Sequence, residues 1–197
     1  MTSPYNNIDS SNWPAITEKL ISEHPIKTDD IIAAVLESWE KILNTKIGDE
    51  LKIGEDIFPS PQIMGNYLHE LIPVILSKKY PGIWRKEVDK EDKDLVYIPN
   101  DYYSIEIKTS SNKNNLYGNR SYGQAEGNNT SGKSKYGFYI GVNFEDIKKI
   151  NPPKILKIRF GWIDHSDWNA QKAATGQNAT LSTLARDNKM KLIYKSE

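Results

Sequence analysis

A glutamate and a lysine two positions apart, Glu106 and Lys108, interrupt the run Tyr102-Tyr103-Ser104-Ile105-Glu106-Ile107-Lys108. In an extended segment alternate residues share a face, so these two side chains point together while Ile105 and Ile107 point into the opposite layer. Asp94 opens an earlier apolar run, Leu95-Val96-Tyr97-Ile98, and Pro99-Asn100-Asp101 between the runs has turn chemistry. An antiparallel hairpin on that turn brings Asp94 beside Glu106 and Lys108. Two carboxylates and an ammonium at one sheet edge suit hydrolysis of a phosphate ester. Asp94, Glu106 and the backbone carbonyl of Ile107 would offer a hard cation such as Mg²⁺ a sparse oxygen site that substrate phosphate completes. The ion would activate water and offset charge on phosphorus, with Lys108 lowering the pKa of the attacking water or neutralising the phosphate. The bland reading of a Glu-x-Lys pair is a solvated cross-strand ion pair that contributes under ~1 kcal/mol. Against it, both residues stand in an apolar strand, where burying charge without a function is costly.

Several other side chains could serve such a site. Arg120 and Gln124, in the polar loop Lys113 to Gln124, are of the types that contact phosphates and base edges. Lys133 and Lys135 could bind phosphate, although a short charge run is usually hydrated surface. Residues 164 to 178 carry the amides Asn169, Gln171 and Gln177, which can pair with adenine, and also Lys172. Asp164, His165 and Asp167 in the same stretch are a rival metal cluster. Trp162 and Trp168 read as core, and His69 as a helix-surface histidine.

The elements that must position these groups follow from periodicity. Residues 11 to 23 read as a short helix, and a longer one from 29 to about 43, capped by Thr28, carries Ile32, Val35, Leu36, Trp39 and Ile42 on one face. Ser60-Pro61 starts a helix that runs towards Tyr80, with Ile63, Met64, Tyr67, Leu68, Leu71, Ile72 and Ile75 as a broad buried face and a kink at Pro73. Strands are predicted at 84 to 88, 94 to 98, 103 to 108, 137 to 142, 155 to 162 and 191 to 194. A helix is predicted over 168 to 185, and 118 to 126 is a short helix or a mobile loop. The order implies an α/β fold, a mixed central β-sheet flanked by helices, in one domain over 1–197: a helical scaffold at about 11–80, a sheet at about 84–163 and a C-terminal segment at about 164–197.

Composition narrows the function classes. The 26 Lys and Arg balance 26 Asp and Glu, so any nucleic-acid surface must be local. There is no cysteine, which excludes disulfides, thiolate metal sites and cysteine nucleophiles and fits a reducing cytoplasm. No stretch approaches the ~20 apolar residues of a membrane span.

Asp94, eleven residues, then Glu106-Ile107-Lys108 resembles the PD-(D/E)XK nucleases. Lys93 stands where that family has a proline, and Asp92 and Asp101 are rival first carboxylates. In that family a glutamate often comes from the helix ahead of the hairpin, and Glu70 matches that place. Across the chain, Trp13, His24-Pro25, Ser38-Trp39, Ser60-Pro61-Gln62, Leu68-His69-Glu70-Leu71, Glu106-Ile107-Lys108-Thr109-Ser110, Arg120-Ser121-Tyr122 and Phe160-Gly161-Trp162-Ile163-Asp164-His165 occur in order and resemble the ScaI-like type II restriction endonucleases. The resemblance implies a restriction-endonuclease-like core and a Mg²⁺-dependent homodimer that cuts both strands of double-stranded DNA at a short palindromic site. It also implies a cognate DNA methyltransferase as genetic partner. Two-fold symmetry follows because a palindrome is most simply read by two identical subunits. The alternatives are a DNA-binding module without cleavage and a repair nuclease of the same superfamily.

Overall fold

The computed structural model describes residues 2–124, 134–171 and 176–197. Lys133 and Lys172 lie outside the described residues. In chain order the elements are α1 Trp13–Ser22, α2 Thr28–Leu43, β1 Lys46–Ile47, β2 Leu51–Lys52, α3 Pro61–Lys79, β3 Trp84–Lys86, β4 Leu95–Tyr97 and β5 Ile105–Ser110. They continue with β6 Tyr117–Asn119, β7 Gly137–Phe144, β8 Ile155–Ile163, β9 Trp168–Ala170, β10 Asn178–Leu181, α4 Thr183–Asn188 and β11 Met190–Lys195.

Three layers result. A six-stranded mixed sheet has the order β11-β8-β7-β5-β4-β3, in which β5 and β7 run parallel and the other neighbours antiparallel. One face is covered by helices: Ile31, Val35 and Ile42 of α2 and Met64, Leu68, Ile72 and Leu76 of α3 pack with Ile105, Ile107, Phe138, Ile140, Ile158 and Phe160. The other face carries a second sheet, β6-β10-β9, whose Ala179 and Leu181 join Leu116, Tyr122 and Trp168 above Tyr139, Ile163 and Met190. Every residue of β7 is buried because it is covered from both sides. Gly141 lets the layers close here, since a Cβ would stand 2.4 Å from Leu116 Cδ1 and push that side chain aside.

The period-two rule therefore sends Ile105 and Ile107 beneath the helices and Glu106 and Lys108 into the space between the sheets. The mixed sheet flanked by helices agrees with the expected fold.

Several local expectations are corrected. Thr28 is the first residue of α2 and Lys27 its cap, with Asp29 and Asp30 in the first turn offsetting the helix dipole instead of a capping hydroxyl. On α3 the buried stripe runs Met64, Leu68, Ile72, Leu76, which leaves Ile63 45% and Tyr67 37% exposed. β3 ends at Lys86 because Asp92 folds back, accepts from the Val88 and Asp89 amides and binds Arg85. The third strand starts later than expected, after a 3-10 turn at Asp101–Tyr103, where the Ser104 hydroxyl accepts from Tyr97 N at 3.0 Å. Residues 117–123 form β6 and a 3-10 turn, Arg120–Gly123, held down by buried Leu116, Gly118 and Tyr122. Of the helix expected over 168–185, residues 172–175 lie outside the described residues and the rest holds β9, β10 and the start of the short α4. Trp168 of β9 and, at strand spacing, Ala179 and Leu181 of β10 enter the apolar layer, and Ser182 caps only the last turns by accepting from Ala185 N.

Candidate active site

The register Leu95↔Ile105 sets Asp94 next to Glu106 at the point where β4 gives out. Asp94 Oδ2 accepts from Ile107 N at 2.6 Å, taking the place of the strand carbonyl that would otherwise pair with that amide. In an extended residue the N–H and C=O face the same edge, so the Ile107 carbonyl looks into the same gap beside Asp94.

Glu106 is 3% exposed. Its Oε1 accepts from Lys108 Nζ at 2.7 Å and from the Tyr122 hydroxyl at 2.8 Å, while the Lys108 ammonium stands 4.7 Å from the Tyr122 ring centre. Tyr139, level with Glu106 on the neighbouring parallel strand, donates to Lys135 O at 2.8 Å. Burial opposes the Lys108 ammonium, but the Glu106 and Asp94 carboxylates outweigh it and hold its pKa above the ordinary lysine value. Burial, then the Glu106 charge, raises the Tyr122 hydroxyl well above the usual tyrosine range, so it remains a donor. Two carboxylates, an ammonium and a fixed phenol thus stand within electrostatic reach of one another. Facing two carboxylates, the ammonium is held in its charged form, the form that offsets charge on a phosphate.

The rival first ligands are engaged elsewhere. Arg85 holds Asp92 through two nitrogens, at 2.6 and 3.1 Å, and keeps its carboxyl below the usual range; Asp101 is exposed on the 3-10 turn ahead of β5. On α3 the residue that reaches Asp94 is His69, whose Nδ1 is 3.5 Å from Asp94 Oδ2. Glu70, one position round the helix, is 60% exposed in its side chain and paired with Lys86. Gly65 brings α3 this close, because a Cβ there would stand 2.6 Å from Thr109 Oγ1.

Asp164, His165 and Asp167 do not form a metal cluster. The Lys189 ammonium bonds Asp164 at 2.8 Å and Asp167 at 2.9 Å and lies 4.6 and 4.3 Å from the ring centres of Tyr5 and Trp13. This buried knot ties the C-terminal segment to the N-terminal one. Among the described residues no group of three or more His, Asp and Glu side chains gathers as a metal site.

The second sheet collects other candidates. Asn178 pairs with Asn119 and Ala179 with Ala170, so Arg120, Gln171 and Gln177 stand at one end of it, all exposed, with Asn169 one pair further in. Gln124 is exposed just beyond the turn that holds Arg120. Lys135 faces inward instead: it is 4% exposed, donates to Ser121 O and lies 5.4 Å from the Tyr122 ring, bracing the turn from beneath. Tyr122 had no role in the sequence reading beyond its motif. The available signal was a large aromatic kept between Ser121 and Gly123 in an otherwise polar stretch.

The family model for ScaI restriction endonuclease matches residues 3–194 of the chain. The type II restriction enzyme ScaI of Streptomyces caespitosus is 44% identical over 194 residues, covering 98% of this chain and 85% of that protein. No solved structure matches.

Proposed function

Because the chain belongs to the ScaI restriction endonuclease family and is a type II restriction enzyme, we propose that it hydrolyses both strands of duplex DNA at a short palindromic site, using Mg²⁺ held by Asp94, Glu106 and the Ile107 carbonyl. The observation that carries this reading is the shared Glu106 oxygen, bound by Lys108 at 2.7 Å, with Asp94 fixed alongside through the Ile107 amide. The donor set is all oxygen with two negative charges, which fits a hard divalent ion that keeps several waters. The ion supplies charge stabilisation at phosphorus and a more acidic water.

The remaining work belongs to the chain's own groups. Lys108 presents its ammonium beside the attacked phosphate, where it offsets developing charge. Tyr122 holds Glu106 in one orientation, and His69 stands behind Asp94. Arg120, Gln124, Asn169, Gln171 and Gln177 contact DNA, with Lys133 and Lys172 further candidates from outside the described residues. Two copies reading one palindrome make the working enzyme a homodimer, and a methyltransferase of matching specificity protects the host genome in the cytoplasm. Digestion of a mixed-sequence plasmid with Mg²⁺ tests this: discrete fragments with identical sequenced ends are expected, and a smear, or no cleavage, contradicts it.

A further inference from the structure

A row of side chains crosses the six-stranded sheet on the face that holds Glu106 and Lys108. It starts at Ser110, two residues beyond Lys108 on β5, and the register continues Ser110↔Asn143, Asn143↔Lys157 and Lys157↔Lys195 through β7, β8 and β11. The last pair sets two lysines directly opposite each other, an arrangement that destabilises a sheet. Burial, then repulsion from Arg159, Lys195 and Arg186, lowers the Lys157 pKa. Among the described residues no carboxylate lies within ion-pair distance of Lys157 or Lys195. A chain with zero net charge has thus set two lysines side by side; Lys157 Nζ donates to the Asn114 side-chain oxygen, and neither ammonium has a carboxylate partner among the described residues.

The place is also built. Buried Arg159 donates to Asn143 Oδ1 at 2.7 Å, and Asn143 Nδ2 in turn donates to the carbonyls of Asn112 at 2.8 Å and Asn115 at 3.1 Å. That clamp fixes the loop leaving the catalytic strand. Lys157 and Lys195 line a cleft of about 450 Å³ together with Lys113, Lys149, Glu145 and Asp146. The Lys149 ammonium stands 3.8 Å from Asp146 Oδ2, so among the described residues Lys113, Lys157 and Lys195 are the cleft's cations outside an ion pair. Ser111 and Lys149 are shared with a second cleft, of about 570 Å³, that runs past Thr109 and Gly65 at the end of β5. At strand spacing, Lys195 is roughly 16 Å from Lys108, the rise of about five phosphates along one strand.

We propose that Lys157 and Lys195, rimmed by Lys113 and Lys149, form a phosphate-binding cleft that grips the DNA backbone to one side of the scissile phosphate. This rests on the restriction-enzyme reading and adds where the duplex leaves the active site. A phosphate seated between the two lysines would turn their mutual repulsion into binding free energy.

The test is the salt dependence of binding to a labelled 25-base-pair duplex in EDTA, with thermal unfolding measured in parallel. For Lys157→Gln/Lys195→Gln the plot of log affinity against log salt should lose about two units of slope, with affinity at 0.15 M falling on the order of tenfold, while Tm stays level or rises as the repulsion is relieved. Lys19→Gln/Lys41→Gln, on the far helices, should keep the wild-type slope. An unchanged slope in the first variant overturns the cleft alone. A wild-type chain that binds no duplex overturns the cleft together with the reading beneath it.

Discussion

The Tyr122 hydroxyl donates to Glu106 Oε1 at 2.8 Å, so a residue of the polar turn in the second sheet holds the buried carboxylate of the first. The same turn displays Arg120 at the surface. A hydrogen bond to a charged group contributes about 1.5–3 kcal/mol. Tyr122→Phe keeps the ring under Lys108 and loses that bond together with the hydroxyl's contact with Tyr139. Its single-turnover cleavage rate should fall about ten- to a hundredfold with duplex affinity nearly unchanged. A wild-type rate would show that Glu106 needs no such support.

The histidine behind Asp94 gives a second prediction. His69 Nδ1 stands 3.5 Å from Asp94 Oδ2, whereas Glu70 is paired with Lys86 in the open. Groups supporting a ligand typically matter tenfold or more. His69→Ala should therefore slow cleavage by about tenfold and raise the Mg²⁺ concentration for half-maximal rate, with Glu70→Gln the milder change. A larger loss in Glu70→Gln would place the helix contribution one residue on.

Stability should depend on pH through His24. The ring is packed 4.3 Å from Phe138 and 4.9 Å from Phe160, accepts from Ile26 N and bonds Tyr103 O, and burial lowers its pKa from 6.5 to about 4. The unfolded chain then binds a proton between pH 6.5 and 4 that the native chain refuses, so this part of the stability is complete above pH 6.5 and is lost as pH falls towards 4. Urea unfolding should show a loss of about 2 kcal/mol from this group between pH 8 and pH 5. In His24→Gln that part of the slope should vanish; an identical slope would assign it to other groups.

Much of this was legible in the sequence because one rule, alternation along a strand, acts locally. It put Ile105 and Ile107 on one side and Glu106 and Lys108 on the other, and the Pro99-Asn100-Asp101 turn brought Asp94 alongside. The second sheet was not legible. β6, β9 and β10 have only three or four residues each, and their apolar anchors, Leu116, Tyr122, Trp168, Ala179 and Leu181, are scattered among Asn, Gly and Gln. Such strands are held by the layer beneath rather than by their own pattern, so the polar surroundings of Tyr122 hid its contact with Glu106. The rotation of α3 was equally hidden: whether His69 or Glu70 meets Asp94 depends on the close approach of Gly65 to Thr109, which periodicity cannot supply.

The most direct measurement is the single-turnover cleavage rate of Asp94→Asn and Lys108→Ala in Mg²⁺, at protein concentrations that saturate the duplex. If Asp94, Glu106 and Lys108 act together at one divalent ion beside the scissile phosphate, each variant binds the duplex and cuts at least about a thousandfold more slowly. Either variant cutting within tenfold of the wild-type rate would contradict that site.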